Sequence, residues 1–450
     1  MAKGQGVSSR TVRTVVLILL AITLIVTLIL FVIENGALPS PGSANMIFAP
    51  TNIVEPYDMD SRAQIYTTKG EKGFFLASRD GVRFITSDGQ KTMNSTYNIT
   101  SPLLVGKGGI IGVAEENGFA LHVFNAGGQL YSVSTEHPIL HFSVAENGYS
   151  VVITKRSTDY DIIVYNNSGI TISYSLFAEA NVYPMAADVS NDGRILAVSY
   201  LDTTGGEIHS KITFAYISKT EAANFAADNG VFAAVNQNPD RLVGLIRFMK
   251  GNVLLAVSDK DVACYEADNG AQRRFSLQLG NKLDAVCLTE SDWFALAYGA
   301  RNPNLPGAEP GTCAFYDLNG STLGEYRAAE PVTQLTAGYN AVLVCSERRF
   351  TAVSQSGNAL WTHDATYDVS QALFMDNTNK LVLAGGTQAE VLQRVKDTSA
   401  DTTSEPSATS IASETPASEE PILPEEPTEP ETTIEPEEPT EPEPTPEEES

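Results

Sequence analysis

Few residues in this 450-residue chain have types and spacings that could do chemistry. His137 and His141 (HPILH) stand four apart, a spacing that converges on one metal ion when it lies on a helix. This run reads as a strand instead. At about 3.3 Å per residue the two rings would then sit roughly 13 Å apart, too far to share an ion. They are read as partly exposed polar residues. Asp159-Tyr160-Asp161 offers two carboxylates for a cation, but its place between two apolar runs predicts a solvated hairpin tip. Cys264, Cys287, Cys313 and Cys345 each lie inside an apolar strand, and none are adjacent or spaced CxxC. Buried free thiols are expected, with a disulfide between neighbouring strands as the alternative on an oxidising side. No catalytic, cofactor-binding or metal residue is assigned.

Charge excludes further classes. The net charge is −26, and the last 54 residues, Asp397–Ser450, hold 18 acids, 11 prolines and no Lys or Arg. The preceding 396 residues carry only −8. They show no cluster of Lys and Arg that could neutralise phosphates, so nucleic acid is not an expected partner. A polybasic lipid-binding patch is also absent beyond Lys3, Arg10 and Arg13.

The elements that must position any site are of three kinds. Val15–Ile33 is an apolar run whose only polar residues are Thr23 and Thr27. At about 1.5 Å rise it covers roughly 28 Å as a helix, close to a bilayer's hydrocarbon thickness. Basic residues precede it, and Glu34, Glu55, Asp58 and Asp60 follow. The positive-inside rule then places residues 1–14 in the cytoplasm and everything after the anchor outside. A cleaved signal peptide is the competing reading, but the small residues of Pro39–Ala44 lie well past the run.

From Ala63 to Lys396 the chain is short apolar, β-branched and aromatic runs broken by Gly, Asn, Asp and Ser, the pattern of serial hairpins. The one helical stretch is Lys219–Ala227 (KTEAANFAA). Eight turns lead into apolar strands: FFLAS, IIGVA, YSVVI, RILAV, VLLAV, WFALAY, AVLVC and KLVLAG. Alternating with them is a second turn, as in FITSDG, FNAGG, YNNSG, YEADNG and YDLNG, with VSQSG a variant. A repeat near 40 residues with four strands per unit predicts an all-β β-propeller of eight blades; seven is the count if the weak first or last unit is not a blade. The last unit is short, so the extended segment Met46–Pro56, within the linker 34–62, is expected to complete it and close the ring.

Ser190-Asn191-Asp192-Gly193-Arg194-Ile195-Leu196-Ala197 resembles the SPDG-[KR]-x-LA turn of WD40-like propellers. Ser354-Gln355-Ser356-Gly357-Asn358-Ala359-Leu360-Trp361 resembles the repeat of quinoprotein-like propellers, a group that includes non-enzymatic scaffold lipoproteins of outer-membrane β-barrel assembly. Over residues 10–396 the layout is similar to uncharacterised, membrane-anchored propellers of Gram-positive bacteria whose shared domain has no assigned function. The resemblance implies a fold and carries over no catalytic residue. Quinone-dependent relatives hold calcium and often a vicinal cysteine pair. This chain has no Cys-Cys and only Trp293 and Trp361 as tryptophans, so no cofactor is expected. The sialidase Asp-box is missing too.

The expected function is therefore a non-enzymatic, membrane-anchored extracytoplasmic module that binds or scaffolds a protein or polymer of the cell envelope. The alternative is a carbohydrate-active or other hydrolytic propeller, with carboxylates from distant blades at the channel mouth. Two insertions, Leu201–His209 and Gly299–Gly311, are either the loops where binding resides or merely tolerated insertions. The acidic Pro/Thr/Glu-rich tail 397–450 is expected to stay disordered. Deleting it should accordingly leave the melting temperature within about two degrees by calorimetry, since unpacked residues contribute almost no burial energy.

Overall fold

The computed structural model describes residues 46–396, apart from 59–61, 69–71, 98, 178, 225–229, 237–239, 290 and 303–304. The apolar run 15–33 and the acidic tail 397–450 lie outside the described residues. The short runs form 32 strands in eight antiparallel four-stranded sheets, an eight-bladed propeller. The inner strands are β2 (Gln64–Thr67), β6 (Pro102–Lys107), β10 (Ile139–Val144), β14 (Val182–Val189), β18 (Val243–Phe248), β22 (Asn281–Leu288), β26 (Gln334–Gly338) and β30 (Gln371–Met375). They run side by side around the channel. One face of the ring, here the entry face, is where they begin; the exit face is where they end.

The eight turn-led apolar runs are the second strands of the eight blades. β3 (Gly73–Ser78), β19 (Val253–Ser258) and β27 (Ala341–Ser346) are buried at every residue. A strand with sheet on both sides and a blade on each face has no solvent side, so its sequence is apolar throughout. Outer strands such as β5 (Lys91–Thr96) and β25 (Thr322–Arg327) are mostly exposed and read as polar. The buried apolar residues fall into eight clusters, and each is shared by two neighbouring blades. The Lys219–Ala227 stretch supplies a helix, α1 (Lys219–Asn224), between the third and outer strands of the fourth blade. The turn at Ser190 is held by its own side chain. Ser190 Oγ accepts from the Ile195 amide at 2.9 Å and donates to Asp192 Oδ1 at 2.6 Å, and Gly193 has a φ of 76°.

The last sheet is completed from the other end of the chain. β1 (Met46–Pro56) is its outer strand, antiparallel to β32 (Gln388–Lys396), with Met46 opposite Lys396 and Pro56 opposite Gln388. A register shift between Pro50 and Val54 is bridged by Thr51 Oγ1, which donates to the Val391 carbonyl at 2.9 Å. The ring is therefore closed by the segment Met46–Pro56, as the short last unit leads one to expect. Ile53 drives the closure: it is buried with Val382, Ala389 and Val391 of the last blade and Phe74 of the first. Its neighbour Val54 is exposed. Ile53→Ala should lower the unfolding free energy by about 2–4 kcal/mol, while Val54→Ala should change it by less than about 0.5 kcal/mol. Chemical denaturation of both variants checks this.

Candidate binding site in the central channel

The penultimate residues of the inner strands form one layer near the exit face: Tyr66, Gly106, Ser143, Asp188, Arg247, Cys287, Ala337 and Phe374. Its two halves differ in chemistry. From the second blade to the fifth the layer is polar and cross-linked. Asp188 is buried and accepts from Ser143 Oγ at 2.8 Å and from the Phe248 amide at 2.6 Å. Lys107, last residue of β6 and 1% exposed, reaches past the third blade to Asp188, Nζ to Oδ2 3.3 Å. Burial lowers the Lys107 pKa, and the Asp188 charge opposes that shift. Arg247 Nη2 donates to the Gly106 carbonyl at 2.7 Å, tying β18 to β6. Gly106 is required here because a Cβ would lie 2.4 Å from the Tyr66 ring.

The other half is open. A cavity of about 410 Å³ lies among the exit ends of the inner strands, lined by Arg247, Cys287, Trp293, Thr336, Ala337 and Phe374 among others. Among the described residues Arg247 is the one charged residue of its lining, and none of them is a carboxylate. The Arg247 Nε is buried and makes no hydrogen bond.

Residues singled out from the sequence take different places. His141 sits on β10 facing the channel wall, where Nε2 donates to the Ala187 carbonyl at 2.9 Å. Burial lowers its pKa, against the Ala187 carbonyl and the Asp188 charge. His137 lies before the strand. Among the described residues no three His, Cys, Asp or Glu side chains group as metal ligands. Asp161 corrects the solvated-tip reading of Asp159–Asp161. It is buried near the start of β12 (Tyr160–Tyr165), accepting from Thr154 Oγ1 at 3.2 Å and Arg156 Nε at 3.0 Å. Its carboxylate holds the hairpin together and does not face solvent. The four cysteines are free and buried. Burial pushes the Cys264, Cys287 and Cys313 thiols up to about 12 and raises Cys345 as well, which leaves them poor nucleophiles at neutral pH.

Lys107, Asp188 and Arg247 were not singled out by the sequence pattern. Lys107 reads as part of a turn, and Asp188 and Arg247 as polar interruptions of apolar runs. Their one signal is a lone charge at the exit end of an otherwise apolar strand.

The two insertions share the entry face. The first extends β15 (Ile195–Asp202) and β16 (His209–Tyr216) and turns through Thr204–Gly206. The second folds back on β22: Asn281 Nδ2 donates to the Gly299 and Ala308 carbonyls at 2.8 and 3.0 Å. Of the 18 exposed large apolar residues among those described, nine lie on this face, five of them on inner strands; toward the exit stand Ile170 and Tyr339 on turns and Met46, Ile47, Leu130, Val231, Leu323 and Val395 at the ends of outer and third strands.

Solved structures share the fold. Sqt1 from Chaetomium thermophilum matches at a TM-score of 0.52 and 10% identity, covering 77% of this chain and 100% of its own. BamB from Moraxella catarrhalis matches at 0.48 and 14% identity, covering 77% and 98%. The WD40 domain of Neurospora crassa Pan2 matches at 0.44 and 9%, covering 77% and 93%. No curated protein matches the chain. One family model does, over residues 45–393.

His141 makes the channel wall sensitive to acid. Its native pKa is depressed, so below about pH 6.5 the unfolded chain takes up a proton that the native ring refuses. Stability is therefore lost as pH falls through that window. His122 and His363 are also depressed by burial and add to the loss. His141→Gln should keep those two contributions and flatten the remainder, by at most about 1.4 kcal/mol per pH unit. Denaturation of both proteins between pH 7.5 and about 5 measures the difference.

Proposed function

The chain belongs to the family of unknown function DUF5711, and from that premise we propose that it is a non-enzymatic propeller, tethered to the membrane, that binds a protein of the cell envelope on its entry face. The observation that carries the reading is the apolar rim of that face. Leu103, Leu140, Tyr183, Met185 and Leu245 stand exposed near the starts of four successive inner strands. Register shifts fall between Ile139 and His141 and between Pro184 and Ala186, which places Leu140 and Met185 within bulges. A bulge turns a side chain away from the regular pleat. Phe119, Ile208 and Leu305, also exposed, stand on loops of the same face. A monomeric surface rarely gathers apolar side chains this way unless a partner covers them. Such a surface suits a protein better than a hydroxylated or charged polymer, which needs hydrogen-bonding groups.

The chain's exits support the orientation. Met46 and Lys396 are paired, and strand directions put both on the exit face. Between the apolar run 15–33 and Met46 stand 12 residues, numbers 34–45. Fully extended, such a linker reaches at most roughly 40 Å. With the positive-inside orientation, that tether holds the exit face toward the outer surface of the membrane and directs the rim away from it. Against a hydrolytic role stands the chemistry of the channel. Asp188 is committed to Lys107, Ser143 and the Phe248 amide, and no acid stands among the described residues of the cavity lining.

Site-specific photocrosslinking in intact cells tests this. A photoreactive residue at Leu140 should yield a discrete protein adduct, reduced at least tenfold by Leu103→Asp together with Met185→Asp. The same group at Ile170, on the opposite face, should yield none. Equal adducts at both positions, or a polysaccharide-sensitive smear at Leu140, would overturn the proposal.

A further inference from the structure

The channel cavity carries a second inference, independent of the rim because it lies at the other end of the inner strands. Arg247 is half-buried at the boundary between the polar half of the channel and the open half. Its Nη2 is fixed by the Gly106 carbonyl, while its Nε is buried without a hydrogen bond. Two cations, Lys107 and Arg247, face one buried carboxylate, Asp188, and the contacts of Asp188 go to Lys107, Ser143 and the Phe248 amide. Lys107 also feels the charge of the exposed Glu146, and among the described residues the guanidinium makes no ion pair. A charge in such surroundings is costly unless paired. Beside it the lining divides into hydroxyls, Thr289 and Thr336, and an apolar wall that includes Trp293, Leu373 and Phe374. The cavity's volume of about 410 Å³ suits a small molecule.

We propose that this cavity binds a small organic carboxylate with an apolar body, the carboxylate pairing with Arg247 and the body lying against Trp293 and Phe374. The charge count favours a carboxylate over a phosphate. A dianionic phosphate needs several donors or cations, whereas Lys107 is already held by Asp188 and, among the described residues, Arg247 alone brings a cation to the lining.

The test is calorimetric titration of the full chain in detergent micelles with 1-naphthoate, its neutral counterpart 1-naphthalenemethanol, and 1-naphthyl phosphate. Naphthoate should saturate a single site, with the neutral alcohol and the phosphate each at least tenfold weaker. Arg247→Gln should weaken naphthoate at least tenfold. Ala337→Leu, which fills the cavity without touching Arg247, should weaken naphthoate and the alcohol alike. Thermal melts establish that each variant is folded; if Arg247→Gln is not, the alcohol comparison and Ala337→Leu decide. Absence of naphthoate binding, equal binding in the folded variants, or an alcohol that binds as tightly would overturn the site. Tighter binding of the phosphate would overturn its assignment to carboxylates.

Discussion

No blade of this propeller has a core of its own. Every one of the eight apolar clusters lies between two blades, so each four-stranded sheet depends on both neighbours for its burial. A twisted sheet of that size cannot cover both of its faces alone. Closure of the ring is therefore the condition for all other burial. A strand that precedes the whole repeat in sequence takes part on both sides of the last blade. Ile53 of β1 packs into its interface with the first blade, and Phe48 into its interface with the seventh.

The same arrangement explains where polarity is tolerated. Side chains between blades are shut away from solvent, so they are apolar almost throughout. Along the channel, strand ends converge and carbonyls and amides are within reach. Charged groups there can be satisfied by neighbours two blades away, as Lys107 is by Asp188. The channel wall becomes a second tie around the ring, made of directional contacts instead of area. Its charged part spans blades two to five; beyond it Tyr66 Oη donates to the Gly108 carbonyl at 3.4 Å and Gln371 Oε1 accepts from the Ile65 amide at 2.8 Å. Cys287, Ala337 and Phe374 bring no polar group of that reach to the open half.

Much of this was legible in the sequence, and the reason is periodicity. The second strands announce themselves because burial on both faces demands unbroken apolar runs, and the turns before them need residues such as Gly193 that accept positive φ. Even the closing strand could be inferred, since a last unit one strand short must find a partner. The channel was not legible. Its pairings join residues 81 and 141 positions apart, Lys107 with Asp188 and Gly106 with Arg247, and no local pattern encodes such separations. Asp161 was misread for a related reason. A carboxylate beside a turn looks solvated until the Arg156 that folds over it is placed. The rim was hidden as well, because a bulge that redirects Leu140 leaves no trace in the spacing of apolar residues.

The pairing of Met46 with Lys396 has a mechanical consequence. Ladder hydrogen bonds lie across the strands, and here both free ends leave from the same end of the ladder. A pull applied between the segment before Met46 and the one after Lys396 loads these bonds one pair at a time, as a zipper is opened, and not all together in shear. The ring would yield at its seam under small forces, and the first pair to part would be the outermost. A pull on one end alone, with the blades held by a partner on the entry face, would load the same seam from a single strand. Tension carried along this chain is thus felt first where the propeller is joined.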